Sequence, residues 1–93
     1  MQFQIDPNAN ISGTYLLGEA DPKVLVVCKN KFADKATYFG FEPEKGYGDY
    51  EWLFKASNGQ VFTIYTRWGC PRIGGVRGEV QASDFEAWLL AQA

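Results

Sequence analysis

The 93-residue chain contains no histidine. This removes the side chain that most often acts as a general base near neutral pH, every Ser-His or Cys-His nucleophilic pair, and the commonest zinc ligand. Cysteine is almost as scarce. Cys28 and Cys70 stand far apart without CxxC spacing, so a zinc site would have to be completed by carboxylates alone, and no metal or other cofactor is expected. No stretch approaches about 18 residues without a charge, and the apolar run from Val24 to Cys28 is far too short to span a bilayer. Residues 1–5 offer no basic start to a signal peptide, so the chain reads as cytoplasmic with reduced thiols and no membrane partner. Nine basic residues against eleven acidic ones leave a net charge of −2, which gives no general attraction for a polyanion and argues against duplex nucleic acid.

What is present suits one small domain over residues 1–93, because 46% hydrophobic and 16% aromatic content exceeds what disordered chains carry. A domain this small leaves much apolar surface uncovered, so a homodimer that buries a sheet face or edge stands beside the monomer as an expectation. The first twenty residues alternate short apolar runs with Asp6, Pro7, Asn8, Asn10 and Gly13, which predicts one or two short strands. Asp21-Pro22 then opens a helix over 22–32, since Asp can cap a free helical N–H and Pro suits the first helical position. Its face would hold Val24, Leu25, Cys28 and Phe32, although the valines leave a buried strand through KVLVVC open. Residues 34–49 carry Gly40, Pro43, Gly46 and Gly48 and predict a long loop, with room for a short strand through Ala36 to Phe41. Near the C-terminus, Ser83 and Glu86 match a capping box for a final helix over 84–92 that packs Phe85, Trp88 and Leu89. The expected fold class is α+β, a small antiparallel sheet with a central hairpin and two helices packed on it.

That hairpin is the firmest local signal. Asn58-Gly59 is a preferred pair for a two-residue type I′ turn, and it separates two runs rich in aromatic and β-branched residues. A two-residue loop sets Trp52 opposite Tyr65, Tyr50 opposite Arg67, Phe54 opposite Thr63 and Leu53 opposite Ile64. One sheet side would then carry Leu53 and Ile64 against the helices, and the other an aromatic stripe of Tyr50, Trp52, Phe54 and Tyr65 ending at Arg67. After the turn at Gly69-Cys70-Pro71, residues 72–76 predict a further strand or a close backbone approach.

The chemistry concentrates beside this hairpin. Arg67, Arg72 and Arg77, the only arginines, fall within eleven positions, whereas every lysine lies earlier. A guanidinium grips phosphate or carboxylate bidentately and stacks on aromatic rings, so Trp52, Tyr65, Arg67, Trp68 and Arg72 form a candidate site for an anionic aromatic, nucleotide-like ligand. Gly74 and Gly75 join it as a weak phosphate-loop candidate that fits neither GxGxxG nor GxxxxGK[ST], the alternative being glycines that permit close packing. The plainer alternative has Arg67 and Arg72 paired with Glu51, Asp49 or Glu79 while Trp52 and Trp68 fill the core. Two other functions stay open: a protein-interaction or inhibitor module using the aromatic face and the acidic stretch from Glu42 to Glu51, and a metal-dependent hydrolase using Asp49 and Glu51. Cys70, beside Arg67 and Arg72, lacks a base and is not expected to act as a nucleophile.

Glu51-Trp52, Asn58-Gly59, Thr63-Ile64-Tyr65 and Arg72-Ile73-Gly74-Gly75 together resemble a pattern in small uncharacterised bacteriophage and mobile-element proteins, which carry an EW, a dG turn, a TIY and a late IGG. The resemblance covers about half the chain. It implies no defined activity, but it suggests an accessory protein that binds or sequesters something rather than a metabolic enzyme.

Overall fold

The computed structural model describes residues 2–42, 47–67 and 69–93, with the backbone alone for 38–42 and 47–49. Its strands are β1 (Phe3–Ile5), β2 (Tyr15–Glu19), β3 (Tyr38–Glu42), β4 (Tyr47–Ala56), β5 (Val61–Arg67) and β6 (Cys70–Gly75), and its helices are α1 (Pro22–Lys31) and α2 (Ala82–Leu90). All strand pairs are antiparallel and run in the order β1-β4-β5-β6-β2, with β3 also on β4. β1 and β3 share one edge of β4 end to end. β1 pairs with residues 54–56 and β3 with residues 47–51. The α+β class and the two-helix antiparallel sheet are therefore as the sequence predicts. The long loop over 34–49 is not, because most of its described residues are strand, in Tyr38–Glu42 and in the start of β4 from Tyr47.

The central hairpin forms where expected but in a different register. Phe54 lies opposite Phe62, Leu53 opposite Thr63, Trp52 opposite Ile64 and Glu51 opposite Tyr65. The cause is a three-residue loop, Ser57-Asn58-Gly59. Gly59 N–H donates to Ala56 O at 2.9 Å, Ala56 N–H donates to Gln60 O at 2.8 Å, and Gly59 takes a positive φ of 90°. Asn58 Oδ1 accepts from Gln60 N–H at 2.9 Å and holds the turn from inside. A type I turn followed by one left-handed residue is the usual three-residue hairpin. One extra loop residue shifts every partner by one and so re-sorts the faces. Trp52 and Phe54 thus join Phe62 and Ile64 under the helices, whereas Tyr65 and Thr63 share the opposite face with Leu53 and Glu51.

The helix-side core is dense with rings. Phe85 of α2 stacks on Phe62 with centroids 4.9 Å apart and meets Phe54 at 5.1 Å and Phe3 at 5.5 Å. Helix α1 contributes Val24, Val27 and Cys28, all buried. Asp21 caps α1 by accepting from Lys23 N–H at 2.9 Å, which favours helix over the strand alternative for KVLVVC. Helix α2 begins earlier than the Ser83–Glu86 pattern suggests. Asp84 reaches back to Gln81 N–H at 3.2 Å, while Glu86 instead accepts from Asp21 N–H at 3.0 Å and ties the two helices together. Among the described residues, no helix is long and apolar enough to cross a membrane.

Burial separates the two thiols. It pushes the Cys28 thiol up to about 12, whereas Cys70 is exposed and both are free. A disulfide-exchange reagent at pH 8 should therefore titrate one thiol per folded chain and two after denaturation. Two fast-reacting thiols in the folded protein would contradict the burial of Cys28.

Residues 6–14 join β1 and β2, which lie at opposite edges of the sheet. Those edges are about 19 Å apart at the usual strand spacing, and a detour round the hairpin end would add about 13 Å on each side. Nine residues reach about 30 Å at most, so the segment cannot go round. The helix side is filled, which leaves the other face. There Thr14 and Tyr15 border one depression with Glu51, Thr63 and Tyr65. This strap accounts for the burial of Leu53 and Thr63, at 4% and 3% exposure, although Leu53 lies outside the helix-side core.

Candidate functional site

The face away from the helices is best described as rows running across the strands. Glu51, Tyr65, Arg72 and Glu19 lie side by side on β4, β5, β6 and β2. Leu53, Thr63, Gly74 and Leu16 form the adjacent row, and Arg67 faces Cys70 on the other side of the first. Neighbours within a row stand about 5 Å apart, so Glu51 and Arg72 flank Tyr65 with about 10 Å between their backbones. Glu51, Thr63, Tyr65, Gly74 and Leu16 line a shallow depression of about 190 Å³.

Two charged groups in the first row are partly desolvated and lack counterparts. Arg72 Nε is shut off from solvent and meets no acceptor. Burial raises the Glu51 carboxyl above its ordinary value. Tyr65 stands between them, and among the described residues no ion pair joins Arg72 to Glu51, Glu19 or Glu79, while Lys55 does pair with Asp6 at 3.7 Å. The expected neutralisation of Arg72 by Glu51 or Glu79 is thus absent there.

A raised carboxyl favours the protonated folded state. The stability it provides is full below the unfolded value and is lost as pH rises through the folded one. Replacing Glu51 by Gln removes that loss, so E51Q should melt above wild type at pH 7, with the difference shrinking towards zero near pH 4. Thermal melts of both proteins across that range check this. A constant difference would mean that Glu51 is not desolvated.

The predicted site residues divide. Tyr65, Arg67, Arg72 and Gly74 share the face away from the helices. Trp52 does not, because it is 1% exposed and donates its indole N–H to Phe32 O at 2.8 Å beneath the helices. Tyr50 stacks on Trp52 at 5.4 Å and packs with Phe54 on the helix side, so the expected stripe is split, with Tyr65 and Arg67 on the opposite face. Trp68 lies outside the described residues, as do the Asp49 side chain and Glu44.

Gly74 and Gly75 are strand residues, not a phosphate cradle. A Cβ on Gly74 would stand 2.5 Å from Thr63 Oγ1 and 3.2 Å from the Tyr65 ring, and one on Gly75 would stand 2.8 Å from Val61 O. They permit close strand packing, and Gly74 floors the depression. Gly78 is likewise filled, by Gln60. Gln60 was not singled out by any motif, yet its side chain donates to Val76 O and Val80 O at 2.9 Å and accepts from Val80 N–H at 3.2 Å, fixing the approach to α2. The place of Glu51 beside Tyr65 was also missed in the sequence, because it depends on the true register.

Among the described residues no three His, Cys, Asp or Glu side chains gather as a metal site. Comparison with protein-family models, with curated proteins and with solved structures gives no match.

Proposed function

We propose that the protein is a small binding module that takes an anionic aromatic, nucleotide-like ligand on the sheet face carrying Tyr65, Arg67 and Arg72. The observation that carries this reading is Arg72 itself, a guanidinium with a desolvated, unpartnered Nε directly opposite an aromatic ring. A phosphate on the outer nitrogens of this guanidinium would supply the countercharge that the described residues do not, and a flat ring could pack against Tyr65, a contact worth about 1–3 kcal/mol per base in single-strand binders. The bacteriophage and mobile-element pattern supports the same view, since a sequestering accessory protein needs a site but no catalytic group.

Nucleoside monophosphates and triphosphates at millimolar concentration should raise the melting temperature, because a ligand that binds only the folded state stabilises it by mass action. Arg72→Ala should fold and lose the shift. No shift across a full nucleotide panel would sink the proposal.

A second reading, a protein-interaction or inhibitor module, draws on the β2 edge, where Tyr15 and Leu16 are each 48% exposed. An open edge strand can pair with a strand of a partner or of a second copy. Leu16→Lys should then abolish pull-down of a partner, or return a dimer to monomer in sedimentation.

A further inference from the structure

Resting on the proposed nucleotide-binding role, we infer that the site selects guanine over adenine, with Glu51 reading the edge of the base from the depression and Arg72 with Arg67 holding the phosphate beyond Tyr65. The inference starts from the row order. Glu51, Tyr65 and Arg72 are consecutive cross-strand neighbours, so a group that accepts hydrogen bonds and a group that donates them flank one ring without neutralising each other. A ligand that satisfies both must be polar in a matching sense, with N–H donors at one end, an anion at the other and a flat segment between.

An ionised carboxylate accepts only, through two oxygens. Guanine presents two adjacent donors, N1–H and N2–H2, that meet both oxygens at once. Adenine offers one donor beside an unprotonated ring nitrogen, whose lone pair a carboxylate repels. A buried polar group left unpaired by the wrong ligand is the strongest source of discrimination available to a small site. Burial has already raised the Glu51 carboxyl, so a donor pair would restore what the carboxylate loses on leaving water. The depression fits this division of labour. At about 190 Å³ it falls below the roughly 300–1,000 Å³ of pockets that enclose drug-sized ligands, and so suits one ring system with the sugar and phosphate outside. Thr63 and Gly74 form its floor, and Leu16 provides an apolar wall.

The test is titration calorimetry of wild type, Glu51→Gln and Arg72→Ala with the monophosphates of guanosine, inosine and adenosine, each variant first shown to melt cooperatively. Wild type should bind the guanosine compound at least about tenfold more tightly than the adenosine compound, with inosine, which lacks the N2 donor, in between. The side-chain amide introduced by Glu51→Gln offers an acceptor beside a donor, so this variant should lose the guanine preference and gain affinity for adenosine monophosphate. Arg72→Ala should weaken all three. If guanosine and adenosine monophosphates bind wild type equally and both depend on Arg72, the base selection is wrong and the nucleotide site stands. If none binds wild type, both proposals fall.

Discussion

Replacing Phe85 by alanine should lower stability by about 3–5 kcal/mol, the range for removing a large buried aromatic side chain. Phe85 is fully buried and is the ring that joins α2 to the sheet. It stacks on Phe62, tilts against Phe54 and Phe3, and lies 6.4 Å from Trp88 of its own helix. Truncation would remove partners from four rings at once, and a domain of this size has little stability to spare. Because Trp52 and Phe54 also lie on this side, the loss should spread through the sheet, not merely release the helix. Denaturant titration followed by tryptophan fluorescence gives the number. A change below about 1 kcal/mol would mean that α2 is not held by this ring.

The adjacent glycines should respond differently to the same substitution. For Gly75→Ala the nearest obstacle is Val61 O, a backbone atom on the neighbouring strand at 2.8 Å, and the glycine has a φ of 155°. Relief requires β5 and β6 to part, so a loss of about 3 kcal/mol or more is expected. For Gly74→Ala the nearest obstacle is the Thr63 hydroxyl, a side-chain atom, at 2.5 Å. That loss should be about 1–3 kcal/mol, and Thr63→Ala in the same chain should recover part of it. Thr63→Ala should not rescue Gly75→Ala. Measured folding free energies of the singles and doubles decide the matter, and equal rescue of both glycine variants would overturn the assignment of Gly74 and Gly75 to opposite faces.

Both predictions depend on a register that local sequence signals did not determine. Asn58-Gly59 correctly marks a turn, but whether the loop has two or three residues depends on whether Ser57 pairs with Gln60. The difference reversed the surroundings of Tyr65. Ring-rich runs on both strands left either side able to serve as core, so hydrophobic alternation could not arbitrate. The helices were easier. Asp21-Pro22 places a cap and a first-turn proline together, and Phe85 with Leu89 marks a buried stripe. The capping pattern at Ser83 and Glu86 misled by two residues because Gln81 and Asp84 supply the local bond and Glu86 is drawn to Asp21. Of the candidate site, the clustering of Arg67, Arg72 and Tyr65 was legible from spacing alone. The depression was not, because its members come from β2, β4, β5 and β6 and from the strap.

The placement of β1 and β2 has a consequence for the order in which the chain is made. Their partners are β4 and β6, so residues that leave the ribosome early wait for sequence as late as Gly75 before both can pair. β1 finds its partner once Ala56 is made, but until Gly75 follows, Tyr15 and Leu16 have no neighbouring strand. The step that waits on Gly75 is the pairing of β2 with β6. A shortened chain that begins at Ala20 would lack that step, leaving β6 open along one side and part of β4 along the other, both able to take strands from other molecules.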